Sequence, residues 1–267
     1  MDRTLLRNQL PALIGGHLPR NARNFSYRIY DGQTRVSALG IPIDPEPFQG
    51  TVITKTDEAL IIKTGRISFA AVDRQLATLD PEPGTKVQVV PYARRNFEGV
   101  RLDAPKQETQ VIEGRSYTIS TCTLGRSTVK LPLPAPRCPE LADLIQQLEA
   151  LAAPDGYRTI SILLVDARAR DFSCIDPDPE SGDIIATPPT VIFHVDTDKF
   201  SGQAAVIYDR GLDLYVLELR RNGDVVERIE QVDFSSLGHK LEELIDDGNW
   251  RRIQVTALEK KTKPTLH

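Results

Sequence analysis

The sequence has few cysteines, and they follow no pattern that would join them. Cys122, Cys138 and Cys174 are the three cysteines in 267 residues, and no C-x-x-C segment occurs. A disulfide framework needs an even set of cysteines, and a zinc site needs ligands grouped at short spacing. The sequence therefore predicts reduced, mostly buried thiols and no zinc site.

A long hydrophobic run is also missing. No segment approaches the roughly 18 consecutive apolar residues that indicate a transmembrane helix. Residues 1–16 contain too short an apolar stretch for a signal peptide. The composition, with 40% hydrophobic and 26% charged residues, is typical of a globular protein in water. We expect a cytoplasmic protein without a membrane partner.

The sequence lacks the short motifs of several enzyme classes. It contains no G-x-S-x-G, H-E-x-x-H, G-x-G-x-x-G or G-x-x-x-x-G-K-[ST] segment. These absences remove the sequence signal for elbow-type hydrolases, zinc proteases, Rossmann enzymes and P-loop nucleotidases. They favour a non-enzymatic protein and indicate no cofactor.

Charge is divided unevenly along the chain. Residues 1–137 hold 19 Lys and Arg against 13 Asp and Glu, whereas residues 138–267 hold 14 against 24, so the net charges are +6 and −10. Fields of opposite sign attract different molecules at long range. The asymmetry supports two domains with different partners, and an undirected drift of surface charge is the alternative.

Residues 1–47 predict an N-terminal extension. Leucines over residues 3–14 have a loose helical spacing that Pro11 interrupts. Asp31-Gly32 predicts the turn of a β-hairpin over residues 25–39, because this dipeptide accepts the positive φ of a type I′ turn. Three prolines then indicate a semi-rigid connector that ends near Phe48.

Residues 48–133 predict a β-barrel domain. Five short β-rich runs, separated by turn residues, lie at 51–56, 59–65, 66–72, 86–92 and 99–104. Such spacing with few helical stretches is typical of small barrels. Two further strands are predicted at 115–121 and 127–133, and the prolines of residues 134–138 indicate a linker.

The segment 48–104 resembles the KfrB-type domain of plasmid and mobile-element proteins. The resemblance rests on Gly50 opening a strand, Gly65-Arg66 between strands and a proline-glycine loop over 80–85 that leads into a strand. It implies a small SH3-like barrel. The chain departs from the family at a short His-Asp step, because Val72 stands before Asp73 where the histidine is expected.

Residues 139–267 predict an α+β domain. An amphipathic helix begins at Pro139, residues 159–167 read as a buried strand, and Asn222-Gly223 predicts a hairpin turn. A second helix follows Ser236, and residues 250–255 predict a final strand. The second half of this region resembles domains associated with large polyvalent proteins of phages and conjugative elements, a resemblance that implies no catalytic residue.

A cluster of basic and aromatic residues is the predicted nucleic-acid-binding site. Cations neutralise phosphates while aromatic rings stack on bases. The predicted set is Tyr92, Arg94, Arg95, Phe97, Arg101 and Lys106. Arg20, Arg23 and Arg28 could extend it. The alternative is a solvated hairpin tip whose aromatic side chains lie in the core.

His194, Asp196 and Asp198 form an H-x-D-x-D segment that could hold a divalent metal. Alternate residues of a strand point to one face, and Asp166 could add a fourth ligand. Such a group would suit a metal-dependent nuclease. The alternative is a strand end followed by a polar turn, with solvated aspartates and no metal.

Together these observations predict a mainly β N-terminal region with a small SH3-like barrel, followed by an α+β domain. The predicted function is a non-enzymatic accessory or interaction protein of a mobile genetic element, acting with a protein partner. One alternative is a nucleic-acid-binding small-barrel module that uses the basic half of the chain. A second is a metal-dependent nuclease that uses the H-x-D-x-D group.

Overall fold

The structure, a computed structural model, describes residues 1–121, 128–180 and 185–259. It is mainly β, with several sheets, which agrees in part with the predicted β-rich N-terminal region and α+β domain. In the described part of the chain, no helix combines the length and apolar character needed to cross a membrane.

Helices and strands follow one another in this order. The α-helices are α1 (Arg3–Ile14), α2 (Pro139–Ala150), α3 (Ile160–Asp166) and α4 (Leu237–Ile245). The strands are β1 (Ser26–Tyr30), β2 (Arg35–Val36), β3 (Pro42–Ile43), β4 (Phe48–Lys55), β5 (Ala59–Lys63), β6 (Ser68–Asp73), β7 (Lys86–Val90), β8 (Lys106–Ile112), β9 (Arg115–Thr121), β10 (Arg170–Ile175), β11 (Thr190–Asp196), β12 (Ser201–Asp209), β13 (Leu214–Arg221), β14 (Asp224–Val232) and β15 (Gln254–Ala257).

The chain forms two compact units, and neither is continuous in sequence. The first comprises Met1–Arg35, Ile43–Ala93 and Trp250–His267, and the second comprises Val36–Pro42 and Arg94–Asn249. These units divide the chain at other places than the predicted boundaries after residues 47, 133 and 138. The first unit contains 16 Lys and Arg against 10 Asp and Glu, and the second contains 17 against 27. We call them the basic unit and the acidic unit.

The basic unit is built on a six-stranded sheet in the order β1-β6-β5-β4-β7-β15. Strand β1 is parallel to β6, and every other neighbouring pair is antiparallel. Side chains of β5 and β6 alternate between two buried apolar clusters, because successive strand residues point to opposite faces. One cluster contains Leu60, Ile62, Ala70 and Val72, and the other contains Ala59, Ile61, Phe69 and Ala71.

Helix α1 covers the second of these clusters. Leu6, Leu10 and Ile14 recur every four residues and are buried against the sheet. The Asp2 side chain caps the helix by accepting from the backbone NH groups of Thr4 at 2.7 Å and Leu5 at 3.1 Å. The sequence predicted that Pro11 would interrupt this helix, but α1 continues through it. Pro11 and Arg7 are both exposed, so water can solvate the carbonyl that the missing NH leaves unbonded.

The predicted hairpin over residues 25–39 is wrong. Strand β1 pairs with β6 from Ser26–Ser68 to Tyr30–Val72, and β2 pairs with β3 instead of β1. Gly32 does take a positive φ of 71°. The chain leaves β1 there because Tyr30 enters the sheet's core and the Asp31 carboxylate accepts two hydrogen bonds from Arg3, at 2.6 and 2.7 Å.

The described strands form no closed barrel, which corrects the predicted SH3-like barrel over 48–104. The sheet is open and ends at β1 and β15, two strands from outside that segment. A single parallel bridge between Ala77 and Ile253 brings the start of β15 back to the chain after β6. The predicted strand at 99–104 is absent, because Arg101 makes only an isolated bridge to Arg95.

Gly50 explains how β4 crosses β5 so closely. A Cβ atom at this position would lie 2.5 Å from Cγ2 of Ile62 and 2.6 Å from the carbonyl oxygen of Lys63. Real Cβ atoms essentially never approach other atoms so closely. The glycine that opens the predicted strand is therefore required by the packing of β4 on β5.

The acidic unit contains an antiparallel five-stranded sheet in the order β10-β11-β12-β13-β14. Apolar residues of β11, β12 and β13 share one buried cluster with residues of all three helices α2, α3 and α4. The helix predicted from Pro139 and the hairpin at Asn222-Gly223 are confirmed as α2 and the β13–β14 turn.

Two predictions for this part of the chain are wrong. Residues 159–167 were predicted as a strand but form α3, in which Ile160 to Leu164 are all buried. A continuous apolar run has neither period, so it cannot distinguish a buried strand from a fully buried helix. The predicted final strand is β15, which pairs with β7 in the basic unit and not with the sheet of the acidic unit.

Candidate nucleic-acid interface

Arg94, the centre of the predicted nucleic-acid-binding set, is buried. Only 4% of it is exposed, and its guanidinium lies 4.7 Å from the centroid of the Tyr157 ring. It also donates to the carbonyl oxygen of Pro42 at 3.3 Å. This side chain therefore stabilises the acidic unit and is not placed to neutralise a phosphate.

The two aromatic members of the predicted set pack against other rings. Tyr92 contacts Trp250 edge-on at 4.8 Å in the basic unit, and Phe97 contacts Phe172 edge-on at 5.0 Å in the acidic unit. The predicted set is thus divided between the two units. Phe97 packs against the apolar cluster of its unit, which agrees with the alternative that the aromatics belong to the core.

The remaining cations of the set have local partners. Arg95 is exposed but donates to the carbonyl oxygen of Gly99 at 2.7 Å. Arg101 pairs with Asp103 at 2.6 Å, and this hydrogen-bonded pair lowers the pKa of the Asp103 carboxyl. Lys106 begins β8, and its side chain lies outside the described part of the structure.

The H-x-D-x-D group forms no metal site. The described residues contain no group of three or more His, Cys, Asp or Glu side chains that could hold a metal ion. Asp198 lies beyond the end of β11, where it accepts from Nδ2 of Asn249 at 2.7 Å. Asp196 faces Arg168 at 3.8 Å, while His194 is half-buried. The two aspartates therefore have separate partners.

Asp166, the predicted fourth ligand, belongs to a buried ion cluster instead. The cluster centres on Arg158, which is 1% exposed and binds three carboxylates. The distances are 2.7 Å to Asp155, 2.9 Å to Asp166 and 2.5 Å to Asp246. Burial lowers the pKa of Arg158, but the carboxylates outweigh burial and leave the pKa above its ordinary value. The cluster joins the last residue of α3 to the chain that precedes this helix and to Asp246, the residue that follows α4.

A groove in the basic unit brings together the groups that the predicted set was expected to supply. It has a volume of about 330 Å³ and lies beside β1, at the edge of the sheet. Its lining residues are Ser26, Tyr27, Arg28, Tyr30, Phe48, Thr64, Ser68, Phe69 and Ala70. They comprise one cation, four aromatic rings and three small hydroxyl side chains, and none of them carries a carboxylate.

The parallel pairing of β1 with β6 sets the geometry of this groove. Ser26 lies opposite Ser68, with their hydroxyl oxygens 3.0 Å apart, and Arg28 lies opposite Ala70. Because Ala70 is small, the Arg28 side chain meets little bulk on the neighbouring strand. The turn from Thr64 to Ser68, closed by a 2.9 Å backbone hydrogen bond, forms one side of the groove.

Two stacked rings line the groove next to Arg28. Tyr30 and Phe48 lie 4.9 Å apart with a 29° angle between their planes. Tyr30 is anchored in the core of the sheet, and Phe48 is half-buried. Arg28 is exposed and makes no ion pair with any described residue. Its charge is therefore open to a ligand from solvent.

Sequence reasoning placed Arg28 only at the margin of the predicted patch. The groove consists of three segments, around residues 26–30, 48 and 64–70, that the fold brings together. The unpredicted pairing of β1 with β6 creates it, so no local sequence signal could have identified it. Comparison of the chain with protein-family models, curated proteins and solved structures finds no match.

Proposed function

We propose that the chain is a non-enzymatic binding protein whose basic unit binds single-stranded nucleic acid in the groove beside β1. The observation that carries this proposal is the position of Arg28, an exposed arginine without an ion-pair partner in the described structure, next to the Tyr30–Phe48 ring pair. Proteins that bind single strands combine cations that follow the phosphates with aromatic rings on which bases stack.

Each group of the groove has a role in this proposal. Arg28 contacts a phosphate, and the hydroxyl groups of Ser26, Thr64 and Ser68 donate hydrogen bonds to phosphate or sugar oxygens. The exposed part of Phe48 stacks with a base. Arg66, exposed in the turn between Thr64 and Ser68, supplies a second positive charge at the rim.

The charge of the basic unit supports a polyanionic ligand. Its net charge is +6, from 16 Lys and Arg against 10 Asp and Glu. A field of this sign attracts nucleic acid at long range and raises the rate of association. The acidic unit, which has 17 Lys and Arg against 27 Asp and Glu, repels the same ligand.

The resemblance of residues 48–104 to KfrB-type domains supports a role in a mobile genetic element. The proposed setting is therefore the cytoplasm of a cell that carries such an element.

Fluorescence anisotropy with labelled oligo(dT) tests the proposal on the full chain. We expect binding at low salt whose affinity falls as salt rises, because neutralised phosphates release counterions. The double variant Arg28→Ala/Arg66→Ala should bind about tenfold or more weakly, with a flatter dependence on salt.

Arg7→Ala provides the matched control. Arg7 is exposed on α1, which covers the opposite face of the sheet from the Tyr30–Phe48 pair. This control removes one arginine charge from the basic unit at a position away from the groove. Its affinity should be compared with that of the single variant Arg28→Ala. Absence of binding by the intact chain at low salt, or equal losses in the Arg7 and Arg28 variants, would contradict the proposal.

A further inference from the structure

Strands β8 and β9 form a hairpin that pairs with no other described strand. Their register runs from Lys106–Thr121 to Ile112–Arg115 around the two-residue turn Glu113-Gly114, whose φ angles are 50° and 76°. Every residue of β9 is exposed, including Tyr117 at 47% and Ile119 at 41%. The hairpin therefore presents apolar side chains and an open strand edge to solvent.

Such a hairpin is unusual as a free element. An isolated two-stranded sheet is marginally stable in water, and three or more strands are normally needed. Natural proteins protect open edges with prolines, inward charges or bulges. Strand β9 has none of these: its sequence RSYTIST contains no proline and a single charge, at its first residue.

The backbone groups that β9 leaves unpaired follow from the turn. In a two-residue hairpin the pair next to the turn is hydrogen-bonded, and hydrogen-bonded and non-hydrogen-bonded pairs then alternate. Because Ile112–Arg115 is that first pair, Ser116, Thr118 and Ser120 direct their NH and C=O groups away from β8.

These outward groups match those of a second β9 strand related by a two-fold axis through Thr118. In that antiparallel register Thr118 pairs with Thr118 of the second copy, and Ser116 pairs with its Ser120. All three outward residues are then hydrogen-bonded with no shift or bulge. A two-fold axis also makes each contact occur twice, as in closed dimers.

The side chains agree with the same register. Tyr117 falls opposite Ile119 of the second copy on one face, and small hydroxyl side chains meet on the other. Aromatic and β-branched residues paired across strands stabilise sheets. Arg115 falls opposite Thr121, so no like charges meet.

The edge of β8 lacks this self-complementarity. Its outward residues centre on Thr109, and a two-fold axis there would set Lys106 opposite Ile112 and Gln107 opposite Val111. Each pair would then join a polar residue to an apolar one. This difference between the two edges indicates that β9, and not β8, pairs with a copy of itself.

We propose that two copies of the chain associate through β9 to form a four-stranded antiparallel sheet in the order β8-β9-β9-β8. The partner is a second copy of this chain. The interface is separate from the groove beside β1, so the nucleic-acid proposal and this one can fail independently.

Sedimentation velocity of the full chain over a range of concentrations tests the interface. We expect a dimer for the natural sequence. Thr118→Lys places two lysines against each other on the two-fold axis and should weaken the dimer about fivefold or more, because like charges directly opposite destabilise paired strands. Thr118→Glu should weaken it similarly, and an equal mixture of the two variants should restore association.

Thr109→Lys is the matched control, because Thr109 is the cross-strand partner of Thr118 on the same face of the hairpin. This variant should dimerise like the natural chain. Recovery in the Lys–Glu mixture also shows that both Thr118 variants keep the hairpin folded. A monomer for the natural chain up to the highest soluble concentration, equal weakening by Thr109→Lys and Thr118→Lys, or no recovery in the mixture would overturn the proposal.

Discussion

The two units use their arginines differently. In the acidic unit, Arg158 is enclosed by three carboxylates, and both Arg220 and Arg228 bind the buried Glu218. In the basic unit, Arg28 stands without an ion pair in the described structure beside an aromatic pair. The number of cations therefore says little about binding, since the acidic unit has 17 Lys and Arg and the basic unit 16.

The contrast has a physical origin in burial. A buried guanidinium must be paired, because an isolated charge loses its hydration without compensation. An exposed guanidinium keeps its hydration and can exchange bound water for a ligand's phosphate at little cost in free energy. The buried Arg158 of the acidic unit thus holds its fold, whereas the exposed Arg28 of the basic unit is available for binding.

The largest effect is expected when the enclosed arginine is removed. Arg158→Met leaves three carboxylates, whose side chains are at most 13% exposed, without their cation, and the free energy of unfolding should fall by about 3–5 kcal/mol. Urea denaturation followed by circular dichroism measures it. Arg170→Met, which removes an exposed arginine lying 3.7 Å from Asp171, should change stability by less than about 1 kcal/mol. Similar losses in both variants would show that enclosure is not what makes Arg158 important.

A smaller loss of stability is expected in the basic unit from Gly50→Ala. The added Cβ would lie 2.5 Å from Ile62 and 2.6 Å from the Lys63 carbonyl, so the two strands must move apart at a cost of about 1–3 kcal/mol. Gly16→Ala is the control, because nothing lies within 4 Å of the position of its Cβ. Thermal unfolding of both variants measures the difference. A Gly50 variant as stable as the Gly16 variant would refute the close approach of β4 and β5.

The ion cluster should also make the acidic unit sensitive to acid. Burial raises the pKa of Asp155, but Arg158 and backbone NH groups outweigh it, so the pKa lies below its ordinary value. The stabilisation is therefore fully present above the unfolded-state pKa of about 3.9 and is lost as the pH falls through the lower folded-state value.

Asp155→Asn measures this contribution. At neutral pH the variant should be less stable than the natural chain by about 1–2 kcal/mol, and the difference should shrink as the pH falls below about 4. Asp171→Asn, at an exposed site, should show no such convergence. A stability difference for Asp155→Asn that is constant from pH 7 to acid would contradict the assigned pKa shift.

The smallest effect is expected at the residues that the sequence indicated first. Arg101→Ala removes a cation that already pairs with Asp103, and it should change oligo(dT) affinity by less than about twofold. Anisotropy at the salt concentration used for Arg28→Ala makes the two variants comparable. An Arg101 loss as large as the Arg28 loss would move the interface to the acidic unit.

The sequence predicted what depends on local pattern. The β-rich runs at 59–65 and 66–72, the helix from Pro139 and the turn at Asn222-Gly223 all appear where expected. Each is determined by neighbours within a few residues, through strand or helix periodicity or the backbone angles of a turn.

Features that depend on distant pairing could not be predicted in this way. Ser26 pairs with Ser68 and Arg158 binds Asp246, contacts that span 42 and 88 residues. Arg94 and Phe97 resembled a binding loop because burial cannot be read from a basic and aromatic composition. The candidate groove follows from the first of these pairings, so it appears only once the fold is known.

Photochemical crosslinking of oligo(dT) to the full chain, with the attached peptides identified by mass spectrometry, tests the central claim most directly. Crosslinks form only where a base contacts a side chain, so their position locates the interface without a variant. The groove predicts crosslinked peptides that contain Tyr27, Tyr30 or Phe48. Crosslinks confined to peptides around Tyr92 and Phe97, or to the sheet of the acidic unit, would contradict it.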